Sequence, residues 1–206
     1  MLPETIQKDS KLLYLLDTNY HRWEISDEEY LSYITPQIII DKIISLADEH
    51  FQGLQDKVIW DMFAGVGCDG LRISLHAGKV ICTEIKKDVY SDLVKNITNY
   101  GDNIVSMNVD CCSVLDKTRC NIVYFDPPWG DTFQSGMDFN FNDVTLDDGT
   151  HILELIDKII NKFDMIIIKS PISSKSFEKR LAEYTKNMRI FTFTQQKLKF
   201  LFIKKS

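Results

Sequence analysis

Lys57-Val58-Ile59-Trp60-Asp61-Met62-Phe63-Ala64-Gly65-Val66-Gly67-Cys68-Asp69-Gly70 decides how the rest of the chain is read. A short apolar run ends in the carboxylate of Asp61, two glycines follow, and helical spacing resumes through Leu71, Ile73 and Leu75. That order is a buried strand, a tight turn and a helix. Glycines let the backbone approach a ligand closely, and a helix N-terminus favours negative charge. The pattern D-x-F-x-G-x-G differs from the G-x-G-x-x-G of dinucleotide sites. Asp61 suits an ammonium group. A ligand with both an amino group and a carboxylate, such as the methionine part of S-adenosylmethionine, therefore fits the turn.

Working outward, the same alternation repeats. Ahead of the turn, Thr35-Pro36 opens a helix, with Thr35 as its cap and Pro36 in its first turn. Ile39, Ile40, Ile43, Ile44 and Ala47 recur at helical spacing to about Phe51, and Gly53 marks the end. After the turn, strands over 80–83 and 104–109 end at Glu84 and Asp110, with a helix over 88–100 between them. A fourth strand, Asn121-Ile122-Val123-Tyr124-Phe125, ends at Asp126. Residues 131–149 read as a long polar loop. A helix over 151–163, a strand over 165–168, a helix over 176–184 and a hairpin over 189–194 and 197–203 complete the chain. Alternating strands and helices predict an α/β, Rossmann-like sandwich, mostly parallel, with an antiparallel C-terminal hairpin. Residues 1–34 read as a helical or loop segment packed on one domain, 35–206.

Three acidic residues thus end successive strands: Glu84, Asp110 and Asp126. In an open parallel sheet those ends line the ligand crevice. Glu84 suits a carboxylate accepting from two ribose hydroxyls. Asp110 suits an adenine amino group, although taken by itself it reads more readily as a helix cap.

Asp126 leads into Pro127-Pro128-Trp129-Gly130. Prolines stiffen the loop and remove two N–H donors. The Asp126 carboxylate and the Pro127 carbonyl could accept both hydrogens of an exocyclic amine. That would push its nitrogen toward sp³ and aim the lone pair at a methyl donor, a positioning effect. Trp129 offers a face on which a base can stack.

Composition narrows the class further. The 206 residues carry a net charge of −6. The charge is uneven: residues 169–206 hold ten basic and two acidic side chains, so the C-terminal end could meet phosphates. Lys169, Lys175, Lys197 and Lys199 are among them. No apolar run reaches the roughly 18 residues of a membrane span. The N-terminus lacks the basic and apolar regions of a signal peptide, so an intracellular protein in cytoplasm or nucleus is expected. The five cysteines fit neither a disulfide framework nor a zinc ribbon, and no metal site is expected.

These motifs resemble class I S-adenosylmethionine-dependent methyltransferases from about Thr35 to Ile203. More narrowly they resemble the trimethylguanosine synthase family, RNA-cap guanine-N2 methyltransferases. The carriers are Asp61 to Gly67, Pro127-Pro128-Trp129-Gly130, Tyr33-Ile34-Thr35-Pro36-Gln37 and Gln196-Lys197-Leu198-Lys199. The resemblance implies cofactor binding by Thr35, Asp61, Phe63, Gly65, Gly67, Glu84, Asp110 and Asp126. It implies catalysis by Asp126, Pro127 and Trp129, with Trp129 stacked on the 7-methylguanosine cap of an RNA partner, and a monomeric protein. The family often has Ser where this chain has Asp126. Asp126 is closer to the D/N-PP-aromatic motif of rRNA or tRNA guanine-N2 and nucleic-acid adenine-N6 methyltransferases, which is the alternative. A non-catalytic cap- or RNA-binding module is a third reading.

Overall fold

The computed structural model describes residues 23–98, 101–129, 141, 144–172, 175–185 and 188–205. Gly130, most of the loop expected over 131–149 and residues 1–22 of the expected N-terminal segment lie outside them. The chain forms two compact units, Met1–Asp116 and Lys117–Ser206.

The first unit opens with a short 3-10 turn, Glu28–Ser32, and helix α1, Gln37–Phe51. Then come β1 (Val58–Asp61), α2 (Cys68–Ser74), β2 (Lys79–Glu84), α3 (Lys87–Ile97), β3 (Ile104–Asn108) and the single turn α4 (Cys111–Val114). The strands run parallel in the order β3-β2-β1. Their C-terminal residues therefore share one edge: Asp61 pairs with Cys82, and Glu84 with Asn108. Trp60, fully buried, donates its Nε1–H to Thr83 Oγ1 at 3.0 Å, a side-chain link between β1 and β2. The apolar stripe of α1, Ile39, Ile40, Ile43, Ile44 and Ala47, is buried as its spacing predicts.

Thr35 does not cap α1. Pro36 occupies the cap position, and the Thr35 hydroxyl donates instead to Asp69 Oδ2 at 2.6 Å. The helix ends on Gln52, at φ 56°, one residue before Gly53.

The second unit holds β4 (Ile122–Phe125), α5 (Ile152–Ile160), β5 (Met165–Pro171), α6 (Lys175–Tyr184), β6 (Met188–Gln195) and β7 (Leu198–Lys205). The order is β4-β5-β7-β6: β4 and β5 are parallel, and β7 runs antiparallel to both of its neighbours. All four residues of β4 are buried, which explains its unbroken apolar run. Part of the expected loop lies among the described residues. Thr145 bridges His151, and the fully buried Phe141 packs on Phe177 with ring centroids 4.4 Å apart. No described helix is long and apolar enough to cross a membrane.

Candidate active site

The first unit carries the glycine turn. Gly65 and Gly67 have φ of 53° and 92°, values that side chains resist. A Cβ on Gly67 would lie 2.4 Å from Leu93 Cδ1, so close packing on α3 demands this glycine. A Cβ on Gly65 would meet nothing within 4 Å; the turn is open on that side.

Glu84 ties the turn to β2. Its Oε2 accepts from the Gly65 N–H at 3.0 Å, and its Oε1 accepts from the Lys86 N–H at 2.8 Å. Burial pushes the Glu84 carboxyl above its ordinary value, against those two backbone donors and the Lys86 charge. A carboxylate has about four acceptor positions, so two neighbouring hydroxyls can still be taken. Asp61 is buried at the end of β1. Beside it, burial first and the Asp61 charge second hold the Cys82 thiol protonated. Phe63 is half-buried within the turn.

Asp110 is a helix cap, as its position after a strand allowed. Its Oδ1 accepts from the Cys112 N–H at 2.9 Å. The structure also brings together a group the spacing argument passed over. Asp110, Cys111 and Cys112 offer three ligand atoms within 4.8 Å of one another. The bond with Cys112 and burial push the Cys111 thiol far up.

The second unit carries the Asp126 loop. β5 runs three residues beyond the expected strand, through Lys169, Ser170 and Pro171. Phe125 is in register with Ile168, so Asp126 and Lys169 are the next residues along parallel strands. Lys169 Nζ lies 2.6 Å from Asp126 Oδ2, with the two side chains 4% and 17% exposed. The same ammonium is 5.7 Å from the centre of the half-buried Trp129 ring.

Lys169 is thus removed from the basic residues expected to meet phosphates. Lys199 is removed as well, being engaged by Glu178. Lys179, Arg189, Lys197 and Lys205 remain exposed, while the side chains of Lys175, Arg180 and Lys186 lie outside the described residues. Sequence reading missed the role of Lys169. The available signal was a lone cation directly after four buried residues, in register with a carboxylate ending a parallel strand.

The fold is that of the Rossmann-like class I methyltransferases, whose methyl donor is S-adenosylmethionine. PH1948 of Pyrococcus horikoshii, provisionally described as an RNA methyltransferase, superposes with a TM-score of 0.61 and 17% identity, over 84% of this chain and 87% of that one. Precorrin-6y C5,15-methyltransferase of Geobacter metallireducens gives a TM-score of 0.59 and 11% identity, over 90% and 95%. The chain belongs to the family described as conserved hypothetical protein 95, which matches residues 41–153. It is also similar to uncharacterized protein L320 of Acanthamoeba polyphaga mimivirus, at 31% identity over 166 residues. That match takes in 75% of this chain and 60% of the length of that curated relative.

The first unit fits the donor on its own chemistry. An open glycine turn, a buried carboxylate at the end of β1 and an acceptor with spare positions at the end of β2 suit an amino acid joined to a ribose.

Proposed function

We propose that this chain transfers the methyl group of S-adenosylmethionine to N2 of the 7-methylguanosine cap of RNA. The observation that carries the reading is the end of β4. There a carboxylate that can accept amine hydrogens stands beside an aromatic ring that already attracts a cation, Lys169 at 5.7 Å. A 7-methylated guanine is a cation with an exocyclic amine, so it matches both groups.

The donor supplies an electrophilic methyl on a sulfonium sulfur. Asp126 and the Pro127 carbonyl accept the two amine hydrogens and free the nitrogen lone pair for attack on that methyl, as its bond to sulfur breaks and a neutral thioether is released. Asp126 takes the proton that the methylated nitrogen sheds. Stacking on Trp129 contributes about 1–3 kcal/mol for any base. A desolvated positive charge adds about 0.5–2 kcal/mol. Thr35, Asp61, Phe63, Gly65, Gly67, Glu84 and Asp110 are assigned to the donor, and the exposed Lys179 and Lys197 to phosphates.

A second reading is a guanine-N2 or adenine-N6 methyltransferase of uncapped nucleic acid. Asp126 ahead of the two prolines favours it, as does the RNA named for PH1948. The precorrin enzyme uses the same fold on a small molecule, so the substrate has to be argued from the loop. The test is the full chain with labelled S-adenosylmethionine and m7GpppA, GpppA or an uncapped transcript. Labelling of m7GpppA at least tenfold above GpppA supports the cap. Equal labelling of the two, or of neither, overturns it, and labelling of the uncapped transcript alone selects the second reading.

A further inference from the structure

The helix α3 carries two buried polar side chains one turn apart, Asp92 and Asn96, each 3% exposed. Neither belongs to the motifs that mark the site. Asn96 Oδ1 accepts from the Glu24 N–H at 2.7 Å, and Asn96 Nδ2 donates to the Glu24 carbonyl at 2.9 Å. The same amide nitrogen donates to the carbonyl of Val66 at 2.8 Å. Val66 is the residue between the two glycines of the turn. Asp92 extends the attachment, accepting from the Ser26 N–H at 2.7 Å and the Ser26 hydroxyl at 2.8 Å.

The apolar contacts run the same way. Val66 forms a buried cluster with Leu31, Ile34 and Val89, and Trp23, Ile25, Tyr30 and Cys68 pack against it. At the far end of the segment, Thr35 donates to Asp69 in the first turn of α2. Residues 23–36 therefore meet the glycine turn in three ways: through Asn96, which bonds both Glu24 and the Val66 carbonyl, through the Val66 side chain, and through the helix that follows the turn. A turn flanked by glycines on both sides has little conformational preference of its own, so outside contacts must fix it.

We propose that Asn96 is a positioning residue that couples residues 23–36 to the glycine turn, so that donor affinity depends on a segment outside the turn itself. This rests on the reading that the turn holds the donor. Coupling is reciprocal: if order in the segment raises donor affinity, donor binding protects the segment by the same factor.

The test uses the full chain with S-adenosylhomocysteine, by calorimetry and by amide hydrogen exchange. Asn96→Ala is expected to weaken binding about tenfold, and Asp92→Ala, which frees Ser26 but leaves Val66 held, about threefold. In the wild-type chain the ligand is expected to slow exchange at the Glu24 and Ser26 amides. That readout needs no variant to fold, and a merely structural role would not move it. Unchanged exchange at both amides on saturation overturns the coupling, as does affinity within twofold of wild type in a folded Asn96→Ala chain. Absence of any S-adenosylhomocysteine binding by the wild-type chain overturns the donor reading itself, and the coupling with it.

Discussion

Lys169 Nζ and Asp126 Oδ2 are 2.6 Å apart, one residue past the Phe125–Ile168 register pair of two parallel strands. Breaking a buried ion pair from one side leaves the other charge stranded, at a cost of about 3–5 kcal/mol. Lys169→Met should therefore lower unfolding free energy by about that amount in urea titrations. Asp126 keeps some contact with solvent, which favours the lower end. The variant should also lose methylation more than tenfold, because the Asp126 carboxylate loses the partner that orients it. Lys169→Arg should recover much of the stability. A stability change within 0.5 kcal/mol for Lys169→Met would show that this pair does not hold the loop.

The ring of Trp129 separates the two substrate readings. Trp129→Phe keeps a stacking face but weakens the attraction for a cation. Under the cap reading, labelling of m7GpppA should fall about tenfold and approach that of GpppA. Labelling of an uncapped transcript that drops by less than threefold would speak for a neutral base. Trp129→Ala should lower either activity by about 5- to 150-fold, the loss that about 1–3 kcal/mol of stacking implies.

Much of this arrangement is visible in the residues alone, and the failures have physical causes. The strands show because short apolar runs bounded by Asp, Glu and Gly have few alternatives. β5 outruns its apolar stretch, 165–168, and Lys169 and Pro171 carry no strand signal of their own. In the fold, β7 carries β5 onward, with Lys169 opposite Phe200 and Pro171 opposite Leu198. Thr35 has the residue type and position of a cap, yet a partner 34 residues away takes its hydroxyl. The Asn96 contacts leave no trace in local periodicity, because Glu24 lies 72 residues away in sequence. Elements formed by local preference were legible; pairings set by register and tertiary contact were not.

Glu84 makes donor affinity pH-dependent. Its folded pKa is raised above 4.5, chiefly by burial. Ribose hydroxyls need the ionised form as acceptor, so binding favours the carboxylate. S-adenosylhomocysteine affinity should thus be flat at neutral pH and fall as pH drops through a window that opens above 4.5. For the free protein the sign is opposite: a raised carboxyl pKa contributes stability at low pH that is lost as pH rises through it. Glu84→Gln should weaken binding about tenfold at pH 7 and flatten the acid decline. An unchanged decline in that variant would assign it to another group.

Gly70 gives a packing test that leaves every site side chain in place. It lies in the interior of α2, where alanine is ordinarily the better helix former by about 1 kcal/mol. A Cβ there would nevertheless lie 2.6 Å from Cys82 Sγ and 3.0 Å from Asp61 Oδ2. Both neighbours sit on strands and are buried, so neither can swing away. Overpacking of this kind costs about 1–3 kcal/mol and outweighs the helix preference. Gly70→Ala should lower thermal stability and, by pressing on Asp61, weaken S-adenosylhomocysteine binding. Adding Cys82→Ala removes the closer clash but not the contact with Asp61. The double variant should therefore regain most of the lost stability while ligand affinity stays low. If both recover together, the defect in Gly70→Ala lies in the packing of α2 on β2 and not at Asp61.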